Sequence, residues 1–207
     1  MIVDRSYVCF KLSYGMPSNK PRLYVALYAR GRGPNLERKY VCTRDMSTHT
    51  ANGHRFHWAL IVGPKKEDDN GRGTQYHAVD RLSGPEKSQW RFEEKDIPLY
   101  ADNMLLIRVA IAKVEKPDQL RDILRSVPLR PDTAGWNCVA WVQEALETLV
   151  ADGQVLGTHV VDWAKVREAA VGYCDKKIEA HRFDGKGELD SKWPPTLDLM
   201  NNVEVIP

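Results

Sequence analysis

The stretch RFHWALIVGPKKEDDNGRGTQYHAVD, residues 55–80, predicts a β-hairpin, and this hairpin decides which kind of sheet the chain builds. Alternation along the first strand places Trp58 on one face and His57 on the other. In the second strand, His77 shares a face with Gln75. The charged segment KKEDDNGRG between the two apolar runs is rich in turn-forming residues.

The spacing of the two histidines predicts that their rings meet. Residues 57 and 77 are equidistant from position 67, the middle of the charged turn segment, so they lie opposite each other on one face of the hairpin. One imidazole can then serve as a general base while the other orients it. A register slip of one residue would send one ring to the other face.

The stretch NCVAWVQEAL, residues 137–146, predicts a helix that begins with a cysteine. Asn137 is a suitable N-cap, which places Cys138 in the first turn. The positive end of a helix favours a thiolate, and its unpaired N–H groups can receive an oxyanion. The alternative is that Cys138 is a small buried hydrophobic residue.

Strands precede most of the helices along the chain, and this order predicts an α+β fold. Further strands are predicted at 7–12, 23–28, 88–93 and 104–112, and further helices at 118–127 and 161–180. We expect a single domain over residues 1–207. It contains a long polar loop or insertion at 29–55 and an irregular C-terminal tail at 182–207.

The composition is that of an ordinary globular protein. Hydrophobic residues make up 43% and the net charge is only +2, which excludes global disorder and does not require a nucleic-acid partner. We find no secretory signal and no stretch long enough to span a bilayer. The four cysteines are scattered without a CxxC pair, which indicates reduced thiols. We therefore expect a soluble cytoplasmic protein without a membrane partner.

Metal and nucleotide sites are not expected. Four histidines are candidate zinc ligands, but no cysteine or carboxylate cluster accompanies them at ligand spacing: His49, His54, His57 and His77. Neither GxGxxG nor a P-loop is present, so we expect no cofactor.

Two other groups of residues are candidates for binding. Candidate oxyanion or pocket residues are Asn137, Trp136, Trp58 and Gln75, although most tryptophans belong to the core. Candidate contacts to tRNA or other phosphates are Arg22, Arg30, Arg32, Arg38 and Lys39, clustered in sequence near the long loop. The alternative for this basic cluster is a solvated loop without a partner.

Three motifs in this order resemble a known superfamily: FHWALIVG, then a strand with YHAV, then NCVAWVQEAL at a helix start. The order resembles the circularly permuted branch of the papain-like (NlpC/P60) superfamily, which includes lecithin retinol acyltransferase-like proteins. It also resembles a group of small, largely uncharacterised fungal proteins with HWAL and NC..W motifs. The motif-bearing region spans roughly residues 55–150, and NCVAW departs from the NCEHF of the acyltransferases.

The resemblance implies a permuted papain-like fold, with an antiparallel sheet packed against helices and the nucleophile at a helix N-terminus. By motif, Cys138 matches the nucleophile, His57 the base and His77 the third polar residue. The hypothesis that follows is a thiol-dependent acyltransferase or hydrolase acting on a small-molecule or aminoacyl substrate.

Two alternatives stay open beside this hypothesis. One is an aminoacyl-tRNA-dependent cyclodipeptide synthase of the fungal arginine-containing type, using the same thiol. The other is a non-catalytic binding module on a papain-like scaffold. The sequence does not distinguish hydrolysis from transfer, and it leaves the oligomeric state open.

Overall fold

The computed structural model describes residues 19–30, 55–66, 68, 70–82, 88–100, 104–184 and 192–207. Within these ranges eight strands form one sheet, and three helices pack against it. The strands are β1 Arg22–Ala29, β2 Phe56–Gly63, β3 Arg72–Leu82, β4 Ser88–Pro98, β5 Leu105–Val114, β6 Leu156–His159, β7 Thr196–Asp198 and β8 Val203–Ile206. The helices are α1 Pro117–Ser126, α2 Cys138–Asp152 and α3 Trp163–Glu179. The predicted α+β class is confirmed.

The sheet is mixed, whereas an antiparallel sheet was expected. The strand order is β4-β3-β2-β1-β5-β7-β8, with β6 paired to β5 outside this path. All pairs are antiparallel except β5 with β7, which run parallel. Parallel pairing needs a long crossover between the two strands, and the chain from Glu115 to Pro195, which contains all three helices, supplies it.

The central strand β1 is buried on both faces, as its sequence RLYVALYA suggests. All eight of its residues are buried. Leu23, Val25 and Leu27 pack in the core under the helices, while Tyr24 and Tyr28 belong to a second apolar cluster on the opposite face. A strand covered on both sides reads as a nearly continuous apolar run rather than as an alternating one.

The predicted hairpin forms as β2 and β3, but its register differs from the predicted one by two residues. Leu60 lies opposite Tyr76, so the hairpin is centred on residue 68 and not on residue 67. The turn closes around Asp68, whose backbone oxygen accepts a hydrogen bond from Gly71 N at 2.8 Å and whose side chain accepts one from Asn70 N at 3.0 Å. Continued along the strands, this register brings His77 level with Ala59. A shift of two residues keeps every side chain on its predicted face.

The helices follow the predicted boundaries to within about two residues. Asn137 caps α2, and its side-chain oxygen accepts a hydrogen bond from Val139 N at 2.8 Å. The helix ends at Gly153, which adopts a left-handed conformation at φ 70° that glycine takes without steric cost. Both capping predictions are confirmed. No helix within the described ranges is long and apolar enough to cross a membrane.

One predicted segment differs from the structure, and two others lie mostly or wholly outside the described residues. The C-terminal tail, expected to be irregular, contributes β7 and β8 to the sheet. The strand β7 is only three residues long, which is too short to show an alternating pattern in the sequence. It forms through parallel pairing to β5. Most of the predicted loop at 29–55 and the predicted strand at 7–12 lie outside the described residues.

A glycine of β3 is required by close packing. A Cβ added at Gly73 would lie 2.7 Å from the backbone oxygen of Val62 and 2.8 Å from Leu99 Cδ2, whereas one added at Gly172 of α3 meets nothing within 4 Å. We expect Gly73→Ala to lower the free energy of unfolding by about 1–3 kcal/mol. Gly172→Ala should raise it by about 0.5–1 kcal/mol through helix propensity. Urea denaturation of both variants tests this pair, and equal effects would contradict it.

Candidate functional site

The thiol of Cys138 lies at the N-terminus of α2 in contact with an arginine. Cys138 is the first residue of the helix and is fully buried. Arg30, the residue after β1, donates a hydrogen bond from Nη2 to the Cys138 sulfur at 3.3 Å. Its Nε donates to the backbone oxygen of Phe56 at 3.1 Å. One guanidinium therefore ties the end of β1 to the start of β2 and to the sulfur.

The Asn137 side chain caps the start of the helix and does not line an open site. Its side-chain oxygen accepts from Val139 N at 2.8 Å and from Ala140 N at 3.4 Å, and its amide nitrogen donates to Gly135 O at 3.2 Å. The N–H groups of Val139 and Ala140 are thus already used by the cap. As the first helical residue, Cys138 has a backbone N–H with no intrahelical acceptor.

The two histidines of the hairpin meet as predicted. His57 Nε2 and His77 Nδ1 are 2.7 Å apart, and the rings lie edge to face with centroids 4.9 Å apart. Because the register is shifted by two residues, the rings meet diagonally rather than as directly opposite neighbours. This contact uses Nε2 of His57 and leaves its Nδ1 outside the hydrogen bond.

A glutamate extends the histidine pair, and the sequence analysis missed it. Glu93 is the direct cross-strand partner of His77 in the β3–β4 ladder. Its Oε2 lies 3.6 Å from His77 Nε2, beyond hydrogen-bond distance but within the range of an ion pair. The signal was present: His77 and Glu93 are both eight residues from Pro85, so the argument used for the first hairpin would have paired them.

The environment of His57 keeps its ring neutral. Burial, the His77 ring and the positive charge of Arg30, in that order, lower the pKa of His57 from 6.5 to about 3. Each of these effects disfavours imidazolium. The guanidinium that contacts the Cys138 sulfur is therefore also within electrostatic range of the His57 ring.

The thiol and the histidine pair approach the same end of β2 from different faces of the sheet. Phe56 and Trp58 pack in the helix-side core together with Cys138, while Ala59 belongs to the cluster on the opposite face. Alternation gives His57 the face of Ala59. The hydrogen bond that the structure gives to the sulfur comes from Arg30 and not from His57.

The candidate pocket residues have structural roles. Trp58 is fully buried and stacks at a tilt on Trp163, so it belongs to the core rather than to a pocket. Gln75 is buried opposite Ile61, on the face that carries His77. Trp136 packs edge to face on Trp90 and donates a hydrogen bond from Nε1 to the Glu144 side chain at 3.0 Å, which fixes it beside the helix start.

The basic residues do not form one cluster where the structure describes them. Arg22 is the first residue of β1, whereas Arg30 follows the last one. Eight residue steps along a strand separate them by about 26 Å. Arg32, Arg38 and Lys39 lie outside the described residues.

No metal site emerges from the described residues. They contain no group of three or more histidine, cysteine, aspartate or glutamate side chains arranged to hold an ion. His49 and His54, the other two candidate ligands, lie outside the described ranges.

A protein-family model matches residues 20–206 and is described as a family of unknown function, DUF6914. The chain belongs to this family. No curated protein matches the chain, and no solved structure matches it. The DUF6914 match includes both strands of the histidine hairpin, Arg30 and the helix that begins at Cys138, so the whole thiol site lies inside the region that defines the family.

The neutral state of His57 makes a testable contribution to stability. Between pH 3 and pH 6.5 the unfolded chain binds a proton at His57 that the folded chain does not, so the contribution is complete above pH 6.5 and is lost as the pH falls. Between pH 7 and pH 5 we expect it to amount to at most about 2 kcal/mol.

The test compares the free energy of unfolding of wild type and His57→Gln at both pH values. His57→Gln should lose less stability than wild type on acidification. His159→Gln, at an exposed histidine on β6, is the matched control and should keep the wild-type pH dependence. An identical pH dependence for wild type and His57→Gln would contradict the lowered pKa.

Proposed function

We propose that this protein is a thiol-dependent acyl-transfer enzyme, on a permuted papain-like fold, with Cys138 as its nucleophile and His57 as its general base. The observation that supports this most directly is the hydrogen bond from Arg30 to the Cys138 sulfur at the start of α2. A guanidinium and a helix N-terminus both stabilise negative charge on the same atom. The histidine pair at the same end of β2 supports the assignment of the base.

At pH 7 the Arg30 side chain is positively charged and the His57 ring is neutral. With a pKa of about 3, His57 is neutral at pH 7 and does not form a resting ion pair with a thiolate. The permanent positive charge beside the sulfur is that of Arg30. In the proposed role, His57 accepts a proton through its lone pair once Arg30, one of the groups that lower its pKa, is displaced from the sulfur. The His77 ring, with Glu93 behind it, fixes the orientation of the imidazole.

The proposed reaction has two halves. The Cys138 sulfur attacks the acyl carbonyl carbon, the bond to the leaving group breaks, and the thiol proton passes through His57 to that leaving group. The backbone N–H of Cys138 is the proposed donor to the tetrahedral oxyanion. In the second half an amine, alcohol or water attacks the thioester, gives up its proton to His57 and releases the thiol.

Access to the sulfur requires movement. Cys138 is fully buried, and Arg30 lies on its sulfur. An acyl donor can reach the sulfur only after the side chains that cover it are displaced. Because the sulfur and the His57 ring lie on different faces of the sheet, the proposed proton exchange between them also requires a rearrangement at this end of β2. Catalytic hydrogen bonds commonly tighten only when substrate is bound.

A covalent intermediate on Cys138 is the first expected result. After incubation of the purified protein with a cell extract and rapid acid quench, intact-mass spectrometry should find an added acyl mass on wild type and none on Cys138→Ala. Cys174→Ala is the matched control and should carry the same adduct as wild type. The added mass distinguishes an aminoacyl group, as a cyclodipeptide synthase would carry, from a fatty acyl or peptidyl group.

Two other outcomes of this experiment would contradict the role proposed for Cys138. An adduct that persists in Cys138→Ala would assign the chemistry to another residue. No adduct on wild type, together with unchanged circular dichroism of all three proteins, would favour the non-catalytic binding module.

Arg30 should control how much thiolate Cys138 forms. At pH 7 we expect the thiolate absorbance at 240 nm to be lower in Cys138→Ala and in Arg30→Gln than in wild type, because the first lacks the thiol and the second lacks the guanidinium charge that stabilises its anion. Arg91→Gln, at an exposed arginine of β4, is the matched control and should leave the signal unchanged. Burial and the charge of Asp175 raise the pKa of the Cys174 thiol, so Cys174 adds nothing at this pH. Equal signals in wild type and Arg30→Gln would contradict the role given to Arg30.

A further inference from the structure

A second concave site lies at the opposite end of β1 from the thiol. It is a cavity of about 510 Å³ where the start of β1, the turn after β2, β5 and the β7–β8 hairpin meet. We call it the basic pocket; its lining residues are Arg22, Tyr24, Lys65, Lys66, Ala110, Trp193, Thr196, Asp198, Val205 and Ile206. Arg22 begins the strand that Arg30 follows, so the pocket and the Cys138 sulfur are separated by about the length of β1, roughly 26 Å.

The basic pocket carries positive charge that the described residues do not neutralise. Arg22 is only 6% exposed, and its described hydrogen bond runs from Nη1 to the backbone oxygen of Lys20 at 2.7 Å. Within the described ranges no carboxylate forms an ion pair with Arg22, Lys65 or Lys66. A buried guanidinium that forms no ion pair is costly, and a bound anion lowers that cost.

The acidic residue of the lining is already engaged. One oxygen of Asp198 accepts hydrogen bonds from Met200 N at 3.0 Å and Asn201 N at 3.2 Å, and the other accepts one from the Asn201 side chain at 2.8 Å. Asp198 thus closes the turn between β7 and β8. Three positive side chains and one negative side chain leave the lining with a net charge of two positive, which a phosphate monoester at pH 7 would balance.

A buried arginine behind the wall fixes the shape of the pocket. Arg108 is fully buried and donates a hydrogen bond from Nη2 to Thr196 Oγ1 at 3.0 Å. Its guanidinium also lies 5.2 Å from the centroid of the Tyr24 ring. Two lining side chains are therefore held from behind by a cation, which adds to the positive potential inside the pocket.

The remaining lining is largely apolar. Trp193, Ala110, Val205 and Ile206 contribute apolar surface, and Val205 is 60% exposed. Pockets for small organic ligands combine an apolar lining with a few placed polar groups. A cavity of this volume holds a molecule of the size of a mononucleotide.

We propose that the basic pocket binds a small organic phosphate monoester. The phosphate lies against Arg22, Lys65 and Lys66, and the organic part lies against Trp193 and Val205. The site is separate from the thiol and does not depend on the function proposed for Cys138.

Calorimetric titration of the full chain with AMP, ribose 5-phosphate, adenosine and inorganic phosphate tests the proposal. At least one of the two phosphate monoesters should bind, more tightly than inorganic phosphate, while adenosine should not bind. Lys65→Gln/Lys66→Gln should weaken the binding at least tenfold, and raised salt should weaken it further. The matched control Lys165→Gln/Lys176→Gln, at two exposed lysines of α3, should bind as wild type does.

Two further variants show whether binding depends on Arg22 and whether it is independent of the thiol. Arg22→Gln removes the buried charge and should abolish binding, with circular dichroism to confirm that it folds. Cys138→Ala should bind as wild type does, which separates this site from the thiol. Failure of both monoesters to bind, or equal binding by the two double-lysine variants, would overturn the proposal. Inorganic phosphate binding as tightly as the monoesters would overturn the part that concerns the organic group.

Discussion

The thiol site depends on one contact, the hydrogen bond from the Arg30 guanidinium to the Cys138 sulfur. The same guanidinium binds the backbone oxygen of Phe56, so the sulfur is positioned by the sheet as well as by its own helix. The cap formed by Asn137 fixes the helix start on the other side. An arginine is always charged at physiological pH, so the positive charge beside the sulfur does not vary with the protonation of a histidine.

This constant charge also contributes to the neutral state of His57. Burial, the His77 ring and Arg30, in that order, lower the pKa of His57, and its Nε2 lies 2.7 Å from Nδ1 of His77. The carboxylate in the group, Glu93, faces His77 and not His57. The sulfur thus has a guanidinium beside it and His77 a carboxylate, while the His57 ring stays uncharged.

Local rules predicted much of this arrangement, and non-local pairing explains what they missed. Alternation assigned the correct faces in β2 and β3, and the cap and the C-terminal glycine of α2 were readable from residue type alone. The observed hairpin register differs from the predicted one by two residues because the turn closes around Asp68. In a run of charged residues, the residue types do not show at which position the turn will close. The parallel strand β7 and the contact between Arg30 and Cys138 join residues 88 and 108 positions apart in the chain. No periodicity in the sequence encodes pairings at such distances.

The sequence of β1 explains why the chain has two polar sites and where they lie. In RLYVALYAR an apolar run of seven residues is buried on both faces and is flanked by Arg22 and Arg30. The two arginines stand where this apolar run begins and just after it ends, the positions from which a long side chain can leave the apolar layers that cover the strand. At one end the charge meets a sulfur at a helix N-terminus, and at the other it lines a cavity closed by β7 and β8. The apolar run that fills the strand therefore leaves a positive charge at each of its two ends, where connecting segments can build a site around it.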